Sequence, residues 1–355
     1  MADWELQYEA ARDLTGVPYD SDLYEGAHSA VFTCLKVKRG ERVVLITDLP
    51  SLPIGAALYE QFKAAGAAVA AFVLEDLTAR PMVEFPPVIA GALETASVSC
   101  FTANAQVGEL RARIAMTAIV NAHRIRHAHM VNITPRIMRE GMRADFVKVD
   151  ALSRWVLERV VKARSLTATT PAGTSLTATF SPEIKWLKTS GIITPEKWAN
   201  LPGGEVLTAP IRVDGVFVVD GVMGDWLAPK YGNMQHHPLT VVIEDSRIAD
   251  VRCKREEIVA DFKSYTSADP NSNRVGELAL GTNLAVTDVI GQILQDEKIP
   301  GLHIAFGHPY SEHTGAPWKS STHIDLVGRC FDVSLDGEPI MKCSRFLVDY
   351  DSLAS

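Results

Sequence analysis

Metal-binding side chains occur in four short segments of this sequence that otherwise have the composition of β-strands. In one of them, "THIDLVG" (322–328), His323 and Asp325 are two residues apart. Alternate residues of a strand point to the same face, so both side chains can reach one point in space. The other segments are "NLPGGEVLTAP" with Glu205, "VGELALG" with Glu277, and "GLHIAFGHPY" with His303 and Tyr310.

A carboxylate on a buried strand is costly unless it is paired or coordinates a cation. Together the four segments offer two glutamates, two histidines and one aspartate, which is about the first coordination shell of two metal ions. Carboxylates bridge pairs of divalent ions about 3.5–4 Å apart, and such pairs suit hydrolysis. The residue types therefore indicate a two-metal hydrolytic site.

Each of these residues also has an ordinary structural interpretation. Glu205 follows two glycines and could be an exposed turn residue, and His303 could be a core histidine with its hydrogen bonds satisfied. His323 and Asp325 could form a structural hydrogen-bonded pair, and Tyr310 could simply pack. Only the presence of all of them in one half of the chain favours a site.

The first half of the chain must supply a different kind of structure. "RVVLIT" (42–47) predicts a strand, 53–67 a helix that closes on Gly66, and 68–75 a second buried strand. Residues 96–103 predict a further strand. Helical character extends over 107–129 and 133–165. Alternating strands and helices predict an α/β domain with a parallel sheet.

Near residue 165 the pattern changes to short alternating runs separated by turns. The turn signals are Pro171–Gly173, Asp214–Gly215, Asp220–Gly221, Asp245–Ser246 and Asp336–Gly337. Such runs predict antiparallel sheet. We therefore expect an α/β N-terminal domain over 1–163 and a mostly antiparallel β, α+β metal-binding domain over 164–355.

Composition narrows the function classes. The 355 residues carry a formal net charge of −8, which predicts no nucleic-acid partner and no anionic membrane partner. No apolar run approaches the roughly eighteen residues of a membrane span, and the N-terminus lacks the pattern of a signal peptide. The five scattered cysteines are interpreted as reduced thiols, so a cytoplasmic location is expected.

The four segments, in their order, resemble the signature blocks of the aminopeptidase T and aminopeptidase S family of dinuclear metallopeptidases. "VGELALGTN" (275–283) matches its block almost letter for letter. "TTPAGTSLTA" (169–178) resembles the entry to the family's catalytic domain. The resemblance is strong over 166–328 and loose before it, where only 37–48 and 62–69 are similar.

The resemblance implies a metal-dependent hydrolase that cleaves amide or peptide bonds, as an aminopeptidase does. The five residues that match the family's metal ligands are Glu205, Glu277, His303, His323 and Asp325. They imply two divalent ions, Zn, Mn, Co or Mg, and Tyr310 matches a tyrosine that assists catalysis. Glu205 or Glu277 could carry the proton from water to the leaving amine. A short peptide or small molecule is the expected substrate, and a homodimer the expected assembly.

Two alternatives remain open. The fold also resembles the Fe(II)-dependent 2,5-dihydroxypyridine 5,6-dioxygenases, which cleave an aromatic ring at a site of two histidines and one carboxylate. In those enzymes a histidine matches Glu277 and the glutamate matching Glu205 is missing, so both glutamates here favour the dinuclear hydrolase. The second alternative is a descendant that binds without catalysis.

The segment between His303 and His323 departs from the family pattern. It looks abbreviated and carries two additional histidines, His308 and His313, together with Trp318. The histidines could be loop residues, or they could touch substrate or a metal. His236 and His237 are interpreted as part of a loop or a pocket rim. These departures leave the substrate open.

Overall fold

The structure is a computed structural model that describes residues 4–224 and 226–354. The chain forms two compact units. The first comprises Met1–Val147 with Gly191–Gly203, and the second Lys148–Ser190 with Gly204–Ser355. A domain boundary between residues 163 and 164 stays a prediction.

The regular elements are numbered here in chain order. The helices are α1 Tyr24–His28, α2 Leu52–Ala64, α3 Leu74–Leu77, α4 Pro87–Leu93, α5 Leu110–Ala122, α6 Pro135–Arg139, α7 Phe146–Val160, α8 Ala228–Tyr231, α9 Glu256–Tyr265, α10 Ile293–Asp296 and α11 Ser311–Thr314. The strands are β1 Arg42–Thr47, β2 Ala68–Val73, β3 Val98–Thr102, β4 Arg126–His129, β5 Ser165–Thr169, β6 Ser175–Thr179, β7 Leu187–Thr189, β8 Ala199–Asn200, β9 Glu205–Thr208, β10 Arg212–Val219, β11 Leu239–Glu244, β12 Arg247–Arg252, β13 Val275–Gly281, β14 Gly301–Gly307, β15 His323–Val327, β16 Asp332–Leu335, β17 Glu338–Lys342 and β18 Arg345–Phe346.

The first unit contains a parallel sheet in the order β2-β1-β3-β4-β8. Strands β1 and β2 are apolar runs buried on both faces, as central parallel strands covered by helices are. The predicted strand 42–47 is confirmed residue for residue. The helix after it ends at Ala64, and Gly66 adopts the positive φ (76°) that favours glycine just past a helix end.

Two helical predictions in this half were too long. The helix predicted over 107–129 ends at Ala122, and Arg126–His129 forms β4 instead. The helix predicted over 133–165 is broken into Pro135–Arg139 and Phe146–Val160. In β4 both histidine side chains are buried, so pairing with β3 outweighs the local helical pattern.

The second unit contains two antiparallel sheets, as the sequence predicted. One has eight strands in the order β12-β11-β10-β6-β5-β16-β17-β18, and the other five in the order β15-β14-β13-β9-β7. Hairpin turns at Asp245–Ser246 and Asp336–Gly337 have positive φ at both positions, as tight two-residue turns require. The turn expected at Asp214–Gly215 was wrong, because both residues lie inside β10.

One hydrophobic core draws on both sheets of this unit. Phe217 of the eight-stranded sheet and Leu278 and Ile304 of the five-stranded sheet belong to it and are fully buried. In β13 the residues that alternate with Leu278 and Leu280 are Glu277 and Ala279, so they project from the other face of the sheet. That second face is where the polar residues of the strands meet.

The expectation of five reduced thiols was wrong. Cys330 and Cys343 form a disulfide, while Cys34, Cys100 and Cys253 are free. Hairpin pairing of β16 with β17 brings the two bridged cysteines together, and a spacing of thirteen residues does not reveal this in the sequence. Among the described residues, no helix is long and apolar enough to cross a membrane.

Candidate metal centre

Four neighbouring strands of the five-stranded sheet carry the polar residues singled out in the sequence. Gly281 of β13 pairs with Glu205 of β9, and Ala279 pairs with His303 of β14. The next pairings along the sheet are Ala305 with Asp325 and Gly307 with His323, both between β14 and β15. Small residues thus stand opposite the larger polar ones, which leaves room for their side chains on one face of the sheet.

The side chains of these strands converge. The Nε2 atom of His303 lies 3.4 Å from Glu277 Oε1 and 3.7 Å from Glu205 Oε2. One ligand atom from each of these three residues lies within 4.8 Å of the others. The Nε2 atom of His323 lies 3.3 Å from Asp325 Oδ1 and 3.9 Å from Glu277 Oε2. The structure therefore places all five residues in one cluster.

Two atoms in the cluster are buried without a hydrogen-bond partner in the described part of the chain. They are His303 Nε2 and Glu277 Oε2, on residues that are only 2% and 3% exposed. A buried polar group without a partner is destabilising and needs an explanation. Both atoms can donate an electron pair to a metal, and imidazole and carboxylate are ligands of Zn, Mn and Co. The residues present thus fit a divalent cation.

Lys298 and Glu297 belong to the same buried cluster, and sequence analysis missed both. The Lys298 ammonium lies 2.6 Å from Glu205 Oε1 and 2.5 Å from Glu297 Oε1, and its side chain is 2% exposed. Thr189 also donates a hydrogen bond, 2.8 Å long, to Glu205 Oε1. Glu297 and Lys298 lie between α10 and β14 and do not belong to a motif with metal-ligand spacing. Only their charge in "DEKIP" (296–300) could have drawn attention.

The charges of the cluster do not balance. Glu205, Glu277, Glu297 and Asp325 can contribute four negative charges, and in the metal-free chain Lys298 and the protonated His323 contribute two positive charges. Burial raises the pKa of Glu297 to about 8, so this carboxyl takes up a proton near neutral pH and relieves part of the excess. The remaining excess of negative charge in a buried site favours bound cations.

The titration of the histidine–aspartate pair depends on the same charges. Burial disfavours the protonated form of His323, but Asp325 and Glu277 outweigh it and raise the His323 pKa to about 10. Burial likewise opposes ionisation of Asp325, yet His323 lowers the Asp325 pKa to about 2. Burial also works against the Glu205 carboxylate, and Lys298 and His303 lower its pKa in spite of that. Cations stabilise the ionised carboxylates, and a divalent ion would act in the same direction.

The orientation of His323 is set from outside the cluster. Its Nδ1 atom lies 2.9 Å from the backbone carbonyl oxygen of His308. In the neutral form of His323 that would bind a metal, a proton on Nδ1 would donate to that carbonyl and leave the lone pair of Nε2 directed at the cluster, the arrangement typical of metal-ligating histidines. The extra histidine of the abbreviated segment therefore contributes through its backbone.

Tyr310 stands at the rim of the cluster. Its ring centroid lies 4.9 Å from that of His323, and its backbone adopts a left-handed conformation, φ 49° and ψ 49°. Burial and the carboxylates, Glu277 foremost, raise the Tyr310 pKa well above its usual value. The hydroxyl therefore stays protonated near neutral pH and can donate a hydrogen bond.

The other histidines singled out in the sequence are not among the five side chains that form the cluster. His313 in α11 and His236 are exposed, and the ring of His236 lies 6.5 Å from that of His237. His308 is half-buried, and its Nε2 atom lies 3.9 Å from Glu312 Oε2 of α11. His236 and His308 lie outside the helices and strands, as expected of loop residues, whereas His313 is an exposed residue of a helix.

Three comparisons with known proteins bear on this site. The family model described as thermophilic metalloprotease (M29) matches residues 152–329, the part of the chain that carries the cluster. Aminopeptidase AmpS of Bacillus subtilis (strain 168) is 25% identical over 170 residues. That alignment covers 41% of this chain and 40% of the relative, so the matched length is well under two thirds of that protein.

Solved structures share the fold. AmpT of Thermus thermophilus has a TM-score of 0.69 at 18% identity, covering 92% of this chain and 99% of its own. The 2,5-dihydroxypyridine dioxygenase of Pseudomonas putida KT2440 has a TM-score of 0.68, also at 18% identity, covering 95% and 100%. At this level of identity the likeness establishes common architecture only.

Proposed function

The chain belongs to the M29 family of thermophilic metalloproteases, and from this membership we propose that it is a metal-dependent, aminopeptidase-like hydrolase of amide and peptide bonds. The observation that carries the proposal is the convergence of Glu205, Glu277 and His303, with His303 Nε2 and Glu277 Oε2 buried and unpartnered among the described residues. His323 and Asp325 complete the proposed ligand set.

We propose two divalent ions, Zn, Mn, Co or Mg, held by these five residues. Such ions, when bound, supply a Lewis acid and a water of lowered pKa. The chain's own part is to hold the ligands in place. Lys298 and Thr189 both bind Glu205 Oε1, which leaves Oε2 of that carboxylate directed at the cluster.

The proton carrier is then Glu277. Lys298 and Thr189 restrain Glu205, whereas neither restrains Glu277, so one oxygen of Glu277 would bind a metal and the other would accept a proton from water. Glu277 can pass that proton to the leaving amine. The Tyr310 hydroxyl, which stays protonated, can donate to the oxyanion that forms at the substrate carbonyl.

Further parts of the proposal rest on composition and resemblance. The substrate is a short peptide or a small molecule, the assembly is a homodimer, and neither nucleic acid nor membrane is a partner. A cytoplasmic location is also proposed. The Cys330–Cys343 disulfide removes the argument from reduced thiols, so the location rests on the remaining composition alone.

A single experiment separates hydrolysis from the Fe(II)-dependent ring-cleaving dioxygenase. The full chain is purified, its metal content is measured, and amino-acid amides, short peptides and hydroxypyridines are assayed after addition of Zn, Mn, Co, Mg or Fe(II). We expect about two ions of a hydrolytic metal per chain and release of free amino acid. One iron per chain with oxygen consumption on a hydroxypyridine would instead establish the dioxygenase.

Glu277→Ala provides the matched test of the site. Loss of the proton carrier is expected to lower kcat by at least about a hundredfold, with an unchanged circular dichroism spectrum. Glu338→Ala, at an exposed strand position in the other sheet, is the control and should retain full activity. Full activity in Glu277→Ala would refute the assignment.

A further inference from the structure

A guanidinium stacked on an indole lies outside the proposed metal cluster. The Cζ atom of the Arg274 guanidinium is 3.7 Å from the centroid of the Trp318 ring, a close cation–π contact. Trp318 is 8% exposed and packs with Ile184, Ala209 and Ala316. Asn271 ties this segment in place, because its amide donates to the Lys319 carbonyl oxygen at 2.9 Å.

Both members of the pair carry a buried hydrogen-bond donor without an acceptor. The Arg274 Nε and the Trp318 Nε1 have no partner in the part of the chain that the structure describes. Each is a donor only, so neither can satisfy the other. Two adjacent orphaned donors call for an acceptor that the described chain does not supply.

The positive charge around Arg274 also favours a bound anionic acceptor. Burial lowers the Arg274 pKa and Arg247 lowers it further, with no carboxylate acting against them. Among the described residues, the Arg247 guanidinium donates to three neutral acceptors, the Pro270 carbonyl and the side chains of Asn271 and Asn273. In a chain of net charge −8, two guanidinium residues thus lie on paired positions, and the carboxylate of this segment, Asp269, accepts from Asn271 and Ser321 instead.

Arg274 projects from the face of the sheet that carries Glu277. Val275 packs into the core with Leu278 and Leu280, and an irregularity in the pairing between Val275 and Glu277 shifts the alternation by one residue. The residue next to Val275, Arg274, therefore points to the opposite face.

The distance from Arg274 to the cluster follows from the strand geometry. The Arg274 carbonyl accepts from Gly307, which pairs with His323 on the next strand, and strands are about 4.8 Å apart. Arg274 is also three residues before Glu277 in the chain, about 10 Å at strand spacing. Both routes place its backbone about 10 Å from the proposed ligands.

We propose that Arg274 and Trp318 form a carboxylate-binding subsite that receives the carboxyl group of a peptide whose N-terminal bond is cleaved at the metal cluster. This proposal deepens the proposed function and rests on it. An extended peptide advances about 3.4 Å per residue, so a carboxylate two to three residues beyond the cluster lies about 7–10 Å from it, close to the distance of the Arg274 backbone. The Nε–H and a terminal N–H of arginine bind a carboxylate side by side, and the indole N–H adds a third donor.

The test compares substrates that differ only in the carboxylate. Leu-Gly-Gly is paired with Leu-Gly-Gly-amide, and Leu-Glu-Gly-amide asks whether a side-chain carboxylate serves equally. The variants are Arg274→Gln, and Trp318→Phe, which keeps a ring but removes the N–H. The control is Lys319→Gln, which removes an exposed neighbouring positive charge. Values of kcat and KM are measured on the metal-loaded full chain.

The wild-type chain is expected to prefer Leu-Gly-Gly over its amide about tenfold in kcat/KM, through KM. Arg274→Gln should abolish the preference without lowering activity on the amide, Trp318→Phe should reduce it, and Lys319→Gln should preserve it. Equal kcat/KM for acid and amide in the wild type, with both hydrolysed, would overturn the subsite and leave the proposed function standing.

Absence of hydrolysis of every substrate would instead count against the proposed function. The subsite is then tested by measuring equilibrium binding of two compounds. One is a reduced-bond analogue of Leu-Gly-Gly, in which CH2–NH replaces the first peptide bond, and the other is the amide of that analogue. Tighter binding of the acid, abolished in Arg274→Gln, would support the subsite, and equal affinities would overturn it.

Discussion

Replacement of Lys298 by methionine tests the electrostatics of the cluster directly. The ammonium of Lys298 lies within 2.6 Å of carboxylate oxygens of both Glu205 and Glu297, and the residue is 1% exposed. Methionine keeps most of the side-chain volume and removes the charge. Two buried carboxylates then lose their shared cation.

The expected size of the effect follows from distance and burial. At an effective dielectric constant of about 20, unit charges 2.6 Å apart attract by about 6 kcal/mol. Desolvation of the buried charges offsets much of this attraction, and breaking a buried pair by removing one partner costs about 3–5 kcal/mol. We expect a destabilisation of that size in the metal-free chain, because there Lys298 is the cation in contact with Glu205.

The assay is urea unfolding of the metal-free and the metal-loaded chain. With a slope of about 3 kcal/mol per molar urea, the midpoint of the transition of the second unit should fall by about 1–1.7 M without metal. Divalent ions replace part of the missing positive charge, so the fall should be less than half as large in their presence.

Lys342→Met is the matched control. Lys342 also forms an ion pair, with Asp332, but its side chain is 74% exposed, and exposed pairs contribute little. If Lys298→Met shifts the metal-free midpoint no more than Lys342→Met does, the account of the cluster as a charge-unbalanced buried site is refuted. An equal shift with and without metal would refute the placement of the cations beside Glu205.

Two further outcomes are expected. His323→Ala should lower the metal content by at least one ion per chain, measured by elemental analysis, and unchanged stoichiometry would show that His323 is not a ligand. Burial lowers the His127 pKa to about 3, so the contribution of its neutral form to stability is complete above pH 6.5 and is lost as the pH falls toward 3. Between pH 7 and pH 5 this costs about 2 kcal/mol, measured as a fall in the urea midpoint of the first unit. The stability of the His127→Asn variant should fall by about 2 kcal/mol less than that of the wild type between pH 7 and pH 5. An identical pH dependence of the two chains would contradict the assignment.

Sequence patterns predicted the regular architecture where one local signal dominated. The run at 42–47 is β-branched and apolar throughout, and it became β1 with the predicted bounds because no competing pattern overlaps it. The hairpin at Asp245–Ser246 was equally local, since its two residues tolerate the positive φ that a tight turn needs. The prediction of an α/β half followed by an antiparallel half is confirmed.

Local signals failed where distant contacts decide the outcome. Residues 126–129 continue a helical pattern in the sequence, yet they form β4, because β3 offers a partner edge and both β4 histidines are buried there. The Cys330–Cys343 bridge depends on the pairing of β16 with β17, which spacing alone does not reveal. For β4 the deciding residues are far from the signal that was read, whereas the bridge was missed although the predicted Asp336–Gly337 turn lies between its two cysteines.

By itself the sequence determined which residue types could do chemistry, since His323 and Asp325 share a strand face wherever that strand lies, and the four motif blocks resemble one family. Only the tertiary structure decided that Glu205, Glu277 and His303 meet across three strands, that Lys298 is buried against Glu205, and that Arg274 stacks on Trp318. The physical reason is that alternation along a strand is a property of neighbouring residues. Burial, charge balance and unsatisfied hydrogen bonds depend instead on which strands the fold places side by side.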